Sequence, residues 1–149
     1  RVGLGTILFL YLLPGALGHN GGGRFDCRWV TLTPQPASHC LWTQGIADTV
    51  DCPIAHGEGR YVHPDPDALA AAGQVALTYS GTNPNGSVAD IAGVCNPAGN
   101  VLGLMPHPEN HVVPRQHPRH GIDADLDRHH ERHLGLRIFR NGVAAAAEM

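Results

Sequence analysis

Apolar and polar positions change their spacing several times along the chain, and each change marks a different element. The stretch from Phe25 to Thr33 is rich in aromatic and β-branched residues, reads as a strand and stops at Pro34 and Pro36. A second strand is expected from Val50 toward His56. Asp65-Pro66 sets a helix start, a capping carboxylate followed by a proline at the first helical position, and Ala68 to Ala72 carry the helix on to Gly73. Val75 to Tyr79 reads as a strand, Asn85-Gly86 as a turn and Val88 to Cys95 as the returning strand. Ala98-Gly99-Asn100 turns the chain again into Val101 to Met105, which completes an antiparallel meander of three strands.

The two ends and one internal stretch depart from this rhythm. Arg1, the run Ile7 to Leu13 and the small residues Ala16 and Gly18 imitate a secretory leader, but the run is too short to span a membrane. It is expected to be a buried helix or strand stopped by Pro14-Gly15, in a chain whose residue 1 is not the natural start. Residues 110–133 hold six histidines, four arginines and four acids with few apolar positions, the pattern of a His/Arg-rich surface loop or insert. Residues 134–149 regain apolar character. Leu136, Ile138, Phe139 and Val143 are expected on one face of a C-terminal helix, with Asn141-Gly142 interrupting it.

Composition narrows the classes. The 149 residues suit one domain, and 19 Gly and 12 Pro predict an α/β or α+β fold with much loop. Net charge is −3, and all ten basic residues are Arg, so nucleic acid is not an expected partner and a lysine-dependent phosphate loop is excluded. Cys27, Cys40, Cys52 and Cys95 form no CxxC pair, which predicts reduced thiols in a cytoplasmic protein. His129 and His133 share a helical spacing, but no third ligand is fixed near them and Arg128 and Arg132 repel a cation; no metal site is expected.

The segment Met105-Pro106-His107-Pro108-Glu109 is the most informative. Each proline pushes the residue before it away from helix, and in an extended segment His107 and Glu109 project to one side, close enough to hydrogen-bond. A carboxylate beside an imidazole fixes its tautomer and stabilises its charged form, as a general base requires. A plain surface loop fits the tripeptide as well.

Leu104 to Glu109 resembles the His-x-Glu segment of the class I glutamine amidotransferases. Cys27-Arg28-Trp29-Val30, Ile54 to Tyr61 and Asn83 to Asn96 follow in the same order as in the glutaminase subunits of phosphoribosylformylglycinamidine synthase, and with Leu12 to Leu17 the likeness spans residues 12–109. The resemblance implies the C-terminal part of one α/β, flavodoxin-like amidotransferase domain, occupying residues 1–149. It implies His107 as base, Glu109 as its orienting group, and a mouth or partner loop containing His56 and Glu58; Arg28 pairs with a carboxylate of protein or ligand. The family's cysteine nucleophile sits in a Gly-x-Cys-x-Gly elbow, expected at or just before residue 1, and none of the four cysteines has that context.

The implied reaction releases ammonia from glutamine for ATP-dependent amidation of formylglycinamide ribonucleotide in purine biosynthesis. A larger synthetase subunit, holding ATP and magnesium, and a small accessory subunit are the implied partners; this chain needs no cofactor of its own. Two other readings remain: a non-catalytic remnant that keeps a partner-binding surface, and a secreted histidine-rich metal-binding protein.

Overall fold

A computed structural model of the chain describes residues 12–124, 128 and 130–148. Its centre is a five-stranded sheet in the order β3-β2-β5-β6-β7, where β2 is Asp26–Pro34, β3 Val50–His56, β5 Val75–Tyr79, β6 Ile91–Cys95 and β7 Leu102–Leu104. A two-stranded sheet pairs β1, Ala16–Gly18, with β4, Arg60–Val62. Every pairing among the described residues is antiparallel, and β5, β6 and β7 form the expected meander. With α1, Pro66–Ala71, and α2, Leu136–Ala147, this is a mixed α/β fold built around an antiparallel sheet. The apolar run before residue 12 lies outside the described residues; Leu12 is exposed, and Leu13 packs partly against Tyr61 and its neighbours.

The central strands are apolar on both faces because both faces are covered. Ile91 and Val94 of β6 join a cluster with Tyr61, Leu69 and Val75, whereas Ala92 and Cys95 join one with Leu32, Val50, Ile54, Leu77 and Ile138. β3 alternates instead, with Val50, Cys52, Ile54 and His56 buried in turn. Asp65 caps α1 as expected, its Oδ1 accepting the Ala68 N–H at 2.9 Å.

Three expectations need correction. The strand read from Val88 begins only at Ile91: Ala89 and Asp90 adopt positive φ of 49° and 54°, in a turn where Asn83 Nδ2 donates to Ser87 O and Asp90 Oδ1. Asn141-Gly142 does not interrupt α2. A Cβ at Gly142 would lie 2.2 Å from Trp42 Cζ3, so the glycine is where the helix meets the indole, and Asn141 Nδ2 donates to Trp42 O and Gln44 O. The buried face of α2 therefore runs through Ile138, Asn141 and Gly142, leaving Phe139 and Val143 exposed. Within 110–133 most described positions are exposed, but His111 is fully buried, its ring edge-on to Trp29 at 5.1 Å.

β3 is an edge strand of the sheet, and its outer side is closed by later chain. The Asp51 N–H donates to His133 O at 3.0 Å, and the His107 N–H donates to Pro53 O at 2.8 Å. In an antiparallel strand a residue's N–H and C=O point the same way, so Pro53 faces its missing donor outward and costs the sheet no bond.

Candidate active site

The residues singled out in the sequence meet at this closed edge. β7 delivers the chain through Met105 and Pro106 to His107, whose amide is fixed on Pro53. His107 keeps φ −108° and ψ 80°, outside the helical region, as a residue before proline should. Pro108, pre-set for a first helical position, then starts a 3-10 turn over Pro108–Asn110. The segment is therefore not extended through Glu109, contrary to expectation. The turn still brings the two side chains together: His107 Nδ1 lies 2.7 Å from Glu109 Oε1. Both are partly open to solvent, at 38% and 54% side-chain exposure.

A cavity of about 290 Å³ opens beside this pair. Trp42, Leu102, Leu104, Pro106 and Phe139 give it apolar walls, and His107 and Glu109 stand at its polar side. The start of α2 is pressed against the same turn. A Cβ at Gly135 would lie 2.2 Å from Pro108 O, so only glycine lets the helix approach so closely, and the Gly135 N–H donates to His111 O at 2.8 Å.

None of the cysteines is placed as a nucleophile for His107. Cys40, Cys52 and Cys95 are buried. Burial first, then the charges of Asp51 and Glu109, push the Cys52 thiol far above its ordinary range, and burial with Cys40 as neighbour pushes Cys95 up to about 11. Cys27 is exposed but stands in β2 opposite Ala55, with no helix N-terminus to activate it.

His56 and Glu58 of the expected mouth or partner loop, and Arg28, take different positions. His56, at the end of β3, is buried with its Nδ1 3.0 Å from Asn20 Oδ1; its pKa is lowered, by burial first and also by the charge His107 can carry. Glu58 is exposed and lies 3.4 Å from His19 Nδ1. Arg28 is held bidentately by Asp26 at 2.8 and 2.7 Å, a pair within the protein, which leaves the ligand-binding alternative without a free guanidinium. His133 Nδ1 is engaged by Thr49 at 3.0 Å, His129 lies outside the described residues, and no group of three metal-ligating side chains occurs among the described residues.

Sequence reasoning missed two buried amides. Asn20 donates to Arg24 O and His56 O and accepts from the Gly59 N–H; Asn85 donates to Gly59 O and Tyr79 Oη and accepts from Ser87. Both sit in glycine-rich turns, where asparagine is common for local reasons, so only the folded contacts distinguish them. Among the described residues no helix is long and apolar enough to cross a membrane.

Known proteins resemble this chain in sequence and fold. A family model for the CobB/CobQ-like glutamine amidotransferase domain matches residues 13–144. The PurQ subunit of phosphoribosylformylglycinamidine synthase from Treponema denticola is 50% identical over 117 residues, covering 67% of this chain and 43% of that protein. Its counterpart from Frankia casuarinae is 51% identical over 133 residues, covering 86% and 51%. The PurLQS structure from Thermotoga maritima superposes with a TM-score of 0.72 at 34% identity, covering 95% of this chain and 58% of that one. The chain thus spans about half the length of the curated relatives it matches. It belongs to the CobB/CobQ-like glutamine amidotransferase family and is similar, within that family, to the PurQ subunits of phosphoribosylformylglycinamidine synthase.

Proposed function

We propose that this chain is the base-bearing part of a glutaminase, the component of phosphoribosylformylglycinamidine synthase that releases ammonia from glutamine for ATP-dependent amidation of formylglycinamide ribonucleotide. The observation that carries the reading is the 2.7 Å contact of His107 Nδ1 with Glu109 Oε1 at the lip of the cavity, in a chain of this family. With Nδ1–H donated to the carboxylate, Nε2 keeps its lone pair for proton transfer. His107 would take the proton of a cysteine nucleophile, give it to the departing ammonia, and then activate the water that frees glutamate from the thioester. Glu109 would hold the ring and favour its charged form during each transfer. None of the four cysteines here supplies that nucleophile.

In this reading ATP and magnesium belong to a larger synthetase subunit, with a small accessory subunit completing the assembly in the cytoplasm, and the present chain contributes neither metal nor organic cofactor. The test is glutamate release by the full-length protein that contains these residues. His107→Ala is expected to lower kcat/KM by about 10²-fold to 10⁴-fold, and Glu109→Gln to lower it in the same range by releasing the tautomer. Variants that hydrolyse glutamine as fast as the unsubstituted protein would remove both residues from the mechanism.

A further inference from the structure

The turn that carries His107 and Glu109 is held on the edge of β3 at both of its ends. At its start the His107 N–H donates to Pro53 O at 2.8 Å. Two residues back along the same edge, roughly 7 Å away, the Asp51 carbonyl faces the same way. Its donor is a side chain, for His111 Nδ1 lies 2.6 Å from Asp51 O. A carbonyl only accepts, so this nitrogen carries the ring's hydrogen. The imidazole thus stands where the N–H of a neighbouring strand would otherwise be.

His111 is also where three elements converge. It ends the 3-10 turn at φ −139° and ψ 65°, its own N–H donates to Pro108 O at 3.1 Å, and its carbonyl accepts the Gly135 N–H at the start of α2. The ring is fully buried, edge-on to Trp29 and 5.5 Å from the ring of His117. Its acceptor is fixed as well. The Asp51 N–H donates to His133 O, and Thr31 Oγ1 donates to Asp51 Oδ1 at 2.7 Å. Glu109, by contrast, is open to solvent and is not held by burial. The place at which its carboxylate meets His107 Nδ1 depends on how firmly the backbone is held on each side of it.

We infer that His111 is a positioning residue for the His107–Glu109 pair, an inference that rests on the function proposed above. It stands behind the turn, outside the cavity wall, and acts through Glu109. With both ends of the turn on β3, the carboxylate stays within reach of Nδ1. With the far end released, the turn can swing about the His107–Pro53 bond and carry the carboxylate away. Misplacing such a group by about 1 Å costs up to about 10²-fold in rate.

The experiment measures glutamine hydrolysis by the full-length protein with two substitutions. His111→Leu keeps apolar packing and deletes the donor, whereas His111→Asn places Nδ2 where Nδ1 stood. The leucine variant is expected to lose about 10-fold to 10²-fold in kcat with KM for glutamine unchanged, because the disturbed contact serves proton transfer and not substrate binding. The asparagine variant should recover most of that loss. In a Glu109→Gln background His111→Leu should add little, since both act through one pair. Three results overturn the positioning role and leave the glutaminase reading standing: an unchanged kcat in folded His111→Leu, an asparagine variant no better than the leucine one, or a loss that multiplies in full with that of Glu109→Gln. If the leucine variant does not fold, nitrogen NMR of the unsubstituted protein decides, because an Nδ1 without its hydrogen overturns the contact. Glutaminase activity indifferent to His107→Ala overturns the reading and the inference together.

Discussion

His56 has one nitrogen committed and no room for a second proton. Asn20 Nδ2 donates to two carbonyls, so its Oδ1 can only accept, and the His56 Nδ1 facing it at 3.0 Å must carry the hydrogen. Nε2 is buried and has no partner among the described residues, so a proton there would meet no acceptor. Burial, reinforced by His107, therefore lowers the pKa in the folded state below its ordinary value of about 6.5. The unfolded chain binds the proton more readily. The contribution is thus fully present above about pH 6.5 and is lost as pH falls from there through the folded value, by at most about 1.4 kcal/mol per pH unit. Urea denaturation at pH 5 and pH 8 should show this loss, and His56→Asn, which retains a donor toward Asn20 but cannot titrate, should show less of it. An equal loss in the variant would place the titrating group elsewhere.

Elements set by local chemistry were legible in the sequence, and those set by distant contacts were not. Asp65-Pro66 announces α1 because cap and fixed φ act within one turn, and the strands β2, β3 and β5 show in their β-branched and aromatic content. The face of α2 was misread because its neighbour Trp42 is nearly a hundred residues earlier, with Asn141 bonded to it across 99 positions. Likewise the His-Pro-Glu segment announced a His107–Glu109 contact, but not the 3-10 turn that makes it, since a proline both disfavours helix before it and favours one after it. The packing of α2 has a measurable consequence. Gly142→Ala forces a methyl against the indole and should destabilise the protein by about 1–3 kcal/mol. Val143→Ala, at a position 71% exposed, should change stability by no more than about 0.5 kcal/mol in the same denaturation assay.

At the scale of the whole molecule the base, its carboxylate and the cavity are assembled by β3, β7, the turn Pro108–Asn110, α2 and the loop that carries Trp42, while the chain matches about half of each relative. A base and carboxylate without an activated thiol cannot form a thioester, so these 149 residues by themselves should release glutamate from glutamine no faster than buffer. Glutamate release that survives purification and disappears in Cys27→Ser would identify the exposed β2 thiol as a nucleophile after all. The closed edge of β3 matters beyond chemistry. A bare edge strand offers its unpaired amides and carbonyls to any other chain, and proteins cover such edges to stay apart. Here the cover is the His107–His111 turn, anchored on the Pro53 and Asp51 carbonyls, together with His133, whose carbonyl takes the Asp51 N–H. Its sequence is thus constrained twice, and a substitution that lifts the turn would expose a template for intermolecular strand pairing, making insolubility the companion of lost activity.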